Sequence, residues 1–123
     1  HQLTEGGYTT LIGNWINNIN KDLPCEIYGD GSKRRDFTHI NDIVDGLNRI
    51  MKQQAYGYIF ELGREKNYSV LEVAEMFNIK PIHKEDKPGE ALETLSDSSL
   101  AKNILAWEPK VNLNAYIKNL KNE

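Results

Sequence analysis

The order in which apolar patterns follow one another along the chain places the strongest limit on its fold. Apolar residues recur at helical spacing in several stretches, and the segments between them have the short, β-branched and aromatic character of strands. The helical stretches begin near residues 11, 41, 70, 98 and 112, and the extended segments are Glu26–Tyr28, Arg35–Ile40, Tyr58–Leu62 and Pro81–His83. This alternation predicts an α/β fold of about five helices with a few short strands. The strands are too few and too short for a complete doubly wound sheet, so we expect one domain over residues 1–123 that is incomplete by itself.

Local signals mark where the helices begin. Ser69 and Glu72 have the spacing of a capping box, in which a hydroxyl oxygen accepts a hydrogen bond from an amide three residues on. Asn41 or Asp42 is expected to cap the helix that follows the second strand, and Asp97 the helix that begins near residue 98. These assignments depend only on neighbouring residues.

The composition limits the partners that the chain can have. Its 15 Lys and Arg residues are interleaved with 18 Asp and Glu residues, for a formal net charge of −3. This mixture argues against a polynucleotide partner, which needs a clustered basic face, whereas a few local cations suffice for a small anion. No run approaches the ~18 apolar residues that cross a membrane. Cys25 stands alone, so we expect a packing residue, no internal disulfide and a cytoplasmic location.

Two further observations concern metal sites and completeness. His39 and His83 lack the spacing of metal ligands, and we expect no metal centre. The first residue is His1, not Met, which suggests a fragment or a processed chain.

The glycine turn Gly29-Asp30-Gly31 carries the chemistry of most interest. Glycines let backbone approach a ligand closely, Tyr28 before the turn offers a stacking face, and Arg35 after it can form two-pronged bonds to phosphate oxygens. Together these are the parts of a clamp for a nucleoside diphosphate. Spacing alone favours the simpler interpretation, a hairpin that has a polar surface.

Five segments in the same order resemble one known family. The stretch from Tyr28 to Asp42 matches the pattern YGDG-x-x-x-RDF-x-x-x-x-D, and a helix ending near Pro24 precedes it. Downstream lie an F-N-I/L-G-like strand at Phe60–Gly63, an S-V-x-E helix start at Ser69, and an ending like L-G-W-x-P at Leu105–Pro109. The chain therefore resembles the carboxy-terminal, substrate-binding part of the extended short-chain dehydrogenase/reductase superfamily, whose members include NAD-dependent nucleotide-sugar epimerases and dehydratases. The resemblance covers nearly the whole chain.

The resemblance implies a binding site at four positions. Arg35 matches the arginine that binds the diphosphate, and Tyr28 occupies the position that flanks the base. Lys87 stands where a second diphosphate-binding arginine is usual, and Glu90 stands at the acid that bonds ribose hydroxyls. Lysine keeps the charge but lacks the planar fork of arginine, which makes it a weaker match. The expected ligand is a UDP- or dTDP-sugar.

The resemblance also implies what this segment lacks. Members of the superfamily bind NAD through an amino-terminal glycine-rich turn and transfer protons through a Tyr-x-x-x-Lys pair, and neither pattern occurs in this sequence. We therefore expect no catalytic residues, no bound NAD and no turnover by this chain alone, although the parent family uses NAD. An alternative is a truncated, non-catalytic interaction or regulatory module that forms homo-oligomers or exchanges strands through Tyr58–Leu62. A third reading is an unrelated small α/β nucleotide-binding module.

Overall fold

The computed structural model describes residues 11–86, 89 and 92–121, which form five helices and four short strands. In chain order these are α1 (Leu11–Asn20), β1 (Glu26–Tyr28), β2 (Arg34–Arg35), α2 (Ile40–Gln53), β3 (Tyr68–Ser69), α3 (Val70–Phe77), β4 (Ile82–Lys84), α4 (Ser99–Leu105) and α5 (Leu113–Lys121). The predicted α/β class and the few short strands are confirmed. No helix among the described residues is long and apolar enough to span a membrane.

The chain divides into two compact units, each with its own apolar centre. Unit 1 is built from His1–Lys33 and Ser69–Ala91, and unit 2 from Arg34–Tyr68 and Leu92–Glu123. Both units are therefore assembled from segments distant in sequence, and each depends on contacts that no single segment supplies.

Unit 1 is organised around a parallel strand pair and two tryptophan contacts. β1 pairs with β4 in parallel, with Ile27 opposite His83. Trp15 of α1 is 1% exposed, meets the Phe77 ring of α3 edge-to-face at 5.9 Å, and donates its indole N–H to the Glu26 carbonyl at 3.2 Å. The same unit buries Ile12, Cys25, Ile27, Val73 and Ala74. Cys25 is thus a packing residue, as expected, and its burial raises the pKa of its thiol.

Unit 2 is centred on Trp107, which is fully buried with Ala101 and Leu105. Its indole N–H donates to the Asp42 carbonyl at 2.9 Å, so this buried donor has a hydrogen-bond partner. The partly buried hydrophobic residues Ile50, Ala55, Phe60, Leu62 and Ile104 pack against this cluster. The indole bond therefore attaches the segment after α4 to the start of α2.

One predicted helix cap is correct and two are wrong. The Ser69 hydroxyl accepts from the Glu72 amide at 3.1 Å, which confirms the cap of α3. The cap of α2 is neither Asn41 nor Asp42 but His39, whose Nδ1 accepts from the Asn41 amide at 3.0 Å.

Asp42 is unavailable as a cap because tertiary contacts use it. It is 4% exposed, and its two carboxylate oxygens accept from the Lys110 and Val111 amides at 2.9 and 3.0 Å. Asp97 likewise precedes the cap position of α4, which Ser98 occupies without a capping side-chain bond. Asp97 still accepts from the Ser99 amide at 3.1 Å.

Two predicted strands are shorter than expected or not formed. The segment Arg35–Ile40 contributes only Arg35 to β2, and its last residue, Ile40, is the first residue of α2. No strand is assigned to Tyr58–Leu62, because no other described strand pairs with it. Its alternation serves packing instead, since Phe60 and Leu62 contact the Trp107 cluster while Ile59 is 91% exposed.

Candidate functional site

The glycine turn after β1 is shaped by a close approach to α3. Gly29 and Gly31 have φ values of 82° and 81°, a region that glycine adopts without steric cost. A Cβ at Gly31 would lie 2.6 Å from the Leu71 Cγ, and the Gly31 carbonyl accepts from the Leu71 amide at 3.1 Å. Asp30 closes the turn by accepting from the Ser32 hydroxyl at 2.6 Å and amide at 2.9 Å, which lowers the pKa of its carboxyl. The glycines of this turn thus serve the packing of the fold.

Tyr28 lies at the carboxyl end of the parallel pair of strands, where ligands of open α/β sheets usually bind. The residue is 40% exposed and stands opposite Lys84, the last residue of β4. The Gly29 amide donates to the Lys84 carbonyl at 2.9 Å, and the Gly29 carbonyl lies 2.8 Å from Nδ1 of His83. These bonds hold the backbone beside Tyr28 in place.

Two consecutive arginines on β2 have different surroundings. Arg34 donates from Nε to the Asn67 side-chain oxygen at 2.9 Å and from its terminal nitrogen to the Asn67 carbonyl at 3.1 Å. Arg35 is partly buried and donates to the Arg34 carbonyl at 2.7 Å. In the described ranges, no carboxylate lies within ion-pair distance of its guanidinium. A partly desolvated cation without a carboxylate neighbour favours an anionic ligand.

Lys87 and Glu90 lie outside the described residues. The residues on either side of them are anchored within their own units. In unit 1 the Lys33 ammonium meets an Asp86 carboxylate oxygen at 2.6 Å, and in unit 2 the Arg34 amide donates to the Leu92 carbonyl at 2.9 Å.

Asp36 is a polar centre of unit 2 that the sequence analysis did not single out. One carboxylate oxygen accepts from the Ser96 hydroxyl at 2.6 Å, the Ser96 amide at 3.2 Å and the Glu65 amide at 3.1 Å. The other accepts from the Arg64 amide at 3.1 Å and the Thr38 hydroxyl at 3.3 Å. Burial by itself would raise the pKa of Asp36, but the hydrogen bonds from Ser96, Arg64 and Glu65 outweigh it and lower the pKa. Its place in the Arg-Asp-Phe triplet was the available signal.

The Gly29–Gly31 turn does not fit an NAD pyrophosphate. A dinucleotide turn leads directly into a helix whose N-terminal amides face the phosphates, whereas the Gly29–Gly31 turn leads into β2 and is filled by Leu71. Within the described part of the chain, no group of three or more His, Cys, Asp or Glu residues could hold a metal ion.

Comparison with known protein families gives one match over nearly the whole chain. Residues 2–120 match the family model described as GDP-mannose 4,6 dehydratase. Similar curated proteins include a UDP-glucuronate 4-epimerase of Thermodesulfobacterium geofontis, 32% identical over 87% of this chain and 35% of that protein. UDP-glucuronic acid decarboxylase 4 of Arabidopsis thaliana is 30% identical over 84% of this chain and 24% of that protein.

Solved structures give the same result for the fold. An epimerase of Methanothermobacter thermautotrophicus has a TM-score of 0.87 and 27% identity, and covers 95% of this chain and 37% of that one. The UDP-glucuronic acid 4-epimerase of Bacillus cereus, in complex with UDP-glucuronic acid and NAD, has a TM-score of 0.77 and 25% identity. That match covers 92% of this chain and 40% of the enzyme. This chain therefore spans well under half the length of the proteins that it resembles.

Proposed function

The chain belongs to the GDP-mannose 4,6-dehydratase family, together with NAD-dependent nucleotide-sugar epimerases and dehydratases, and we propose that it is the part that holds the nucleoside diphosphate of the substrate. The ligand is a UDP- or dTDP-sugar. The proposal concerns binding and orientation. The whole activity of an epimerase or dehydratase requires a cofactor cradle that the described residues do not supply, so the chain alone is expected to show no turnover.

The surroundings of Arg35 carry the proposal. Arg34 next to it is committed to Asn67, whereas Arg35 is partly desolvated and, in the described part of unit 2, has no carboxylate within ion-pair distance. A diphosphate offers paired oxygens that match the fork of a guanidinium. Charge-assisted bonds of this kind are stronger than neutral ones and are worth about 1.5–3 kcal/mol. Arg35 is therefore the main anchor for the ligand.

The other three residues have supporting roles in this proposal. Tyr28 flanks the base, and its exposure at the end of β1 leaves ring surface for stacking. Lys87 supplies a second positive charge to the diphosphate, and Glu90 accepts hydrogen bonds from the ribose hydroxyls. The reacting part of the sugar is not among the groups that these four residues bind. Holding a substrate in one geometry is a contribution to catalysis in its own right.

Calorimetric titration with UDP and with dTDP tests the proposal. We expect wild-type protein to bind at least one of them and Arg35→Gln to weaken binding about 10- to 100-fold, which corresponds to the loss of ~1.5–3 kcal/mol. Lys118→Gln is the matched control, because it removes one positive charge from an exposed position on α5. Equal weakening by the two variants would indicate a non-specific charge effect, and no binding by the wild type would refute the proposal.

The exposed apolar face of α2 favours a second candidate function, a self-associating interaction module. Ile40, Val44, Leu47 and Met51 are 49%, 45%, 51% and 66% exposed, and their spacing of four, three and four residues places them on one seam of the helix. The charged residues of α2 lie off this seam. Two copies packed seam to seam would therefore bring no like charges together. The neighbouring segment Tyr58–Leu62, to which no strand is assigned, is a further site for exchange between copies.

Light scattering over a range of protein concentrations tests this second candidate. A dimer that Leu47→Glu dissociates would support it. Asn48→Glu is the matched control, because it places the same charge on the next residue, which is also exposed but lies off the seam. A strict monomer at the highest concentration, or a dimer that neither variant affects, would exclude self-association through α2.

A further inference from the structure

Residues 92–96 run beside β2 and are held there by backbone and side-chain bonds. The Arg34 amide donates to the Leu92 carbonyl at 2.9 Å, and the Thr94 amide donates to the Arg34 carbonyl at 3.0 Å. Arg34 and Glu93 form an isolated parallel bridge. The Asp36 amide donates to the Thr94 hydroxyl at 3.2 Å, which extends the ladder by one more rung.

The Asp36 carboxylate links the end of residues 92–96 to residues 64 and 65 by hydrogen bonds. It binds the amide and hydroxyl of Ser96 on one side and the amides of Arg64 and Glu65 on the other. A carboxylate is required there, since one oxygen receives three donors and the other receives two. The side-chain amide of asparagine, in either orientation, would direct its NH2 group at one or two backbone amides and leave them without an acceptor, whereas the hydroxyls of Thr38 and Ser96 can rotate to accept from it.

Arg35 lies between Arg34 and Asp36, which both belong to this ladder. Its backbone is thus fixed on both sides by residues whose partners lie in the segment 92–96.

We propose that Asp36 is a positioning residue of the diphosphate site, which holds residues 92–96 in register with β2 and thereby fixes the backbone from which Arg35 reaches the ligand. This inference rests on the proposed nucleotide-binding function. Asp36 itself does not touch the nucleotide, because its carboxylate oxygens are occupied by Ser96, Arg64, Glu65 and Thr38. Its contribution passes through Arg35.

Asp36→Asn tests the inference by titration with UDP and dTDP. At a temperature where the variant is folded, we expect Kd to rise about tenfold. A double-mutant cycle with Arg35→Gln separates positioning from stability. If Asp36 acts through Arg35, Asp36→Asn has little further effect on Kd once Arg35 is replaced. An unchanged Kd in Asp36→Asn, or an equal effect in both backgrounds, would overturn the inference.

A pair of serine variants provides a matched control. Ser96→Ala removes a hydroxyl that binds Asp36, and Ser98→Ala removes a hydroxyl two residues later that is fully buried and bonds to the Gly63 backbone. We expect Ser96→Ala to weaken nucleotide binding several-fold and Ser98→Ala to lower Tm without changing Kd. The reverse pattern would show that binding merely follows stability.

Hydrogen exchange distinguishes failure of this inference from failure of the proposed function. The Thr94 amide is bonded to the Arg34 carbonyl, so its exchange reports the register of residues 92–96 without any ligand. We expect faster Thr94 exchange in Asp36→Asn than in the wild type. Unchanged exchange refutes the positioning role, whereas a wild-type chain that binds neither UDP nor dTDP refutes the proposed function.

Discussion

Replacement of Asp42 should destabilise unit 2 strongly, because this buried carboxylate receives two backbone amides. The side chain is 4% exposed and accepts from Lys110 at 2.9 Å and Val111 at 3.0 Å, while its own carbonyl accepts the indole N–H of Trp107. Asp42→Asn keeps the size and one acceptor oxygen but points an NH2 group at the other amide. Leaving one such donor unsatisfied costs about 1–3 kcal/mol.

The expected loss in the free energy of unfolding differs among two Asp42 variants and one control. Asp42→Ala leaves both amides without an acceptor and adds a small cavity, so we expect about 3–4 kcal/mol against about 1–3 for Asp42→Asn. Asp45→Asn is the control on the same helix. Asp45 forms a partly exposed pair with Arg49 at 3.0 Å, four residues apart on the helix, and loss of such a pair costs only about 0.5 kcal/mol.

Urea and thermal unfolding followed by circular dichroism measure these differences. Asp42→Asn should lower Tm by roughly 5–15 °C and lower the urea midpoint without changing the slope. Tryptophan fluorescence provides a second probe of unfolding, to which both buried indoles, Trp107 of unit 2 and Trp15 of unit 1, contribute. The reasoning would be refuted if Asp42→Asn were within 0.5 kcal/mol of the wild type, or if Asp45→Asn were equally damaging.

Three further predictions follow from other contacts. Folding lowers the pKa of Asp36, so the stability that this carboxylate contributes is fully present above the unfolded pKa of about 3.9 and is lost as pH falls through the folded pKa. The Tm difference between wild type and Asp36→Asn should therefore shrink only below about pH 4. In urea unfolding, Gly31→Ala should lower the free energy of unfolding more than Gly57→Ala does. Both glycines have positive φ, but only a Cβ at Gly31 would meet Leu71, so an equal loss of stability in the two variants would refute the close approach. Lys87→Arg should tighten UDP binding measured by calorimetry, because a planar fork replaces a point charge, and a weaker complex would count against Lys87 as a diphosphate ligand.

Features that depend on neighbouring residues were predictable from the sequence. The Ser69 cap, the helix that begins after Asn112, and the short strands β1 and β4 are set by spacing, side-chain size and turn residues. The five motifs, found in the expected order, also identified the family, because members of a family share residue types at corresponding positions. None of these conclusions required knowledge of distant contacts.

Features that depend on competition between local and distant partners were not predictable. The Asp42 side chain could cap a helix, but it accepts a hydrogen bond from the amide of Lys110, which is 68 residues away in sequence. His39 caps α2 instead. The Tyr58–Leu62 segment has strand character but no strand to pair with. Similarly, the sequence predicted Arg35 as a diphosphate-binding residue, but only the structure showed that the neighbouring Arg34 is bonded to Asn67.

The amino-acid sequence by itself determined the family and most of the element types, and it suggested the residues that we propose to bind a diphosphate. Only the tertiary structure decided which polar side chains are committed to contacts within the fold. The physical reason is that a polar side chain satisfies whichever partner burial brings within hydrogen-bond distance, and the segments that supply those partners to Asp36, Asp42 and Arg34 lie far away in sequence.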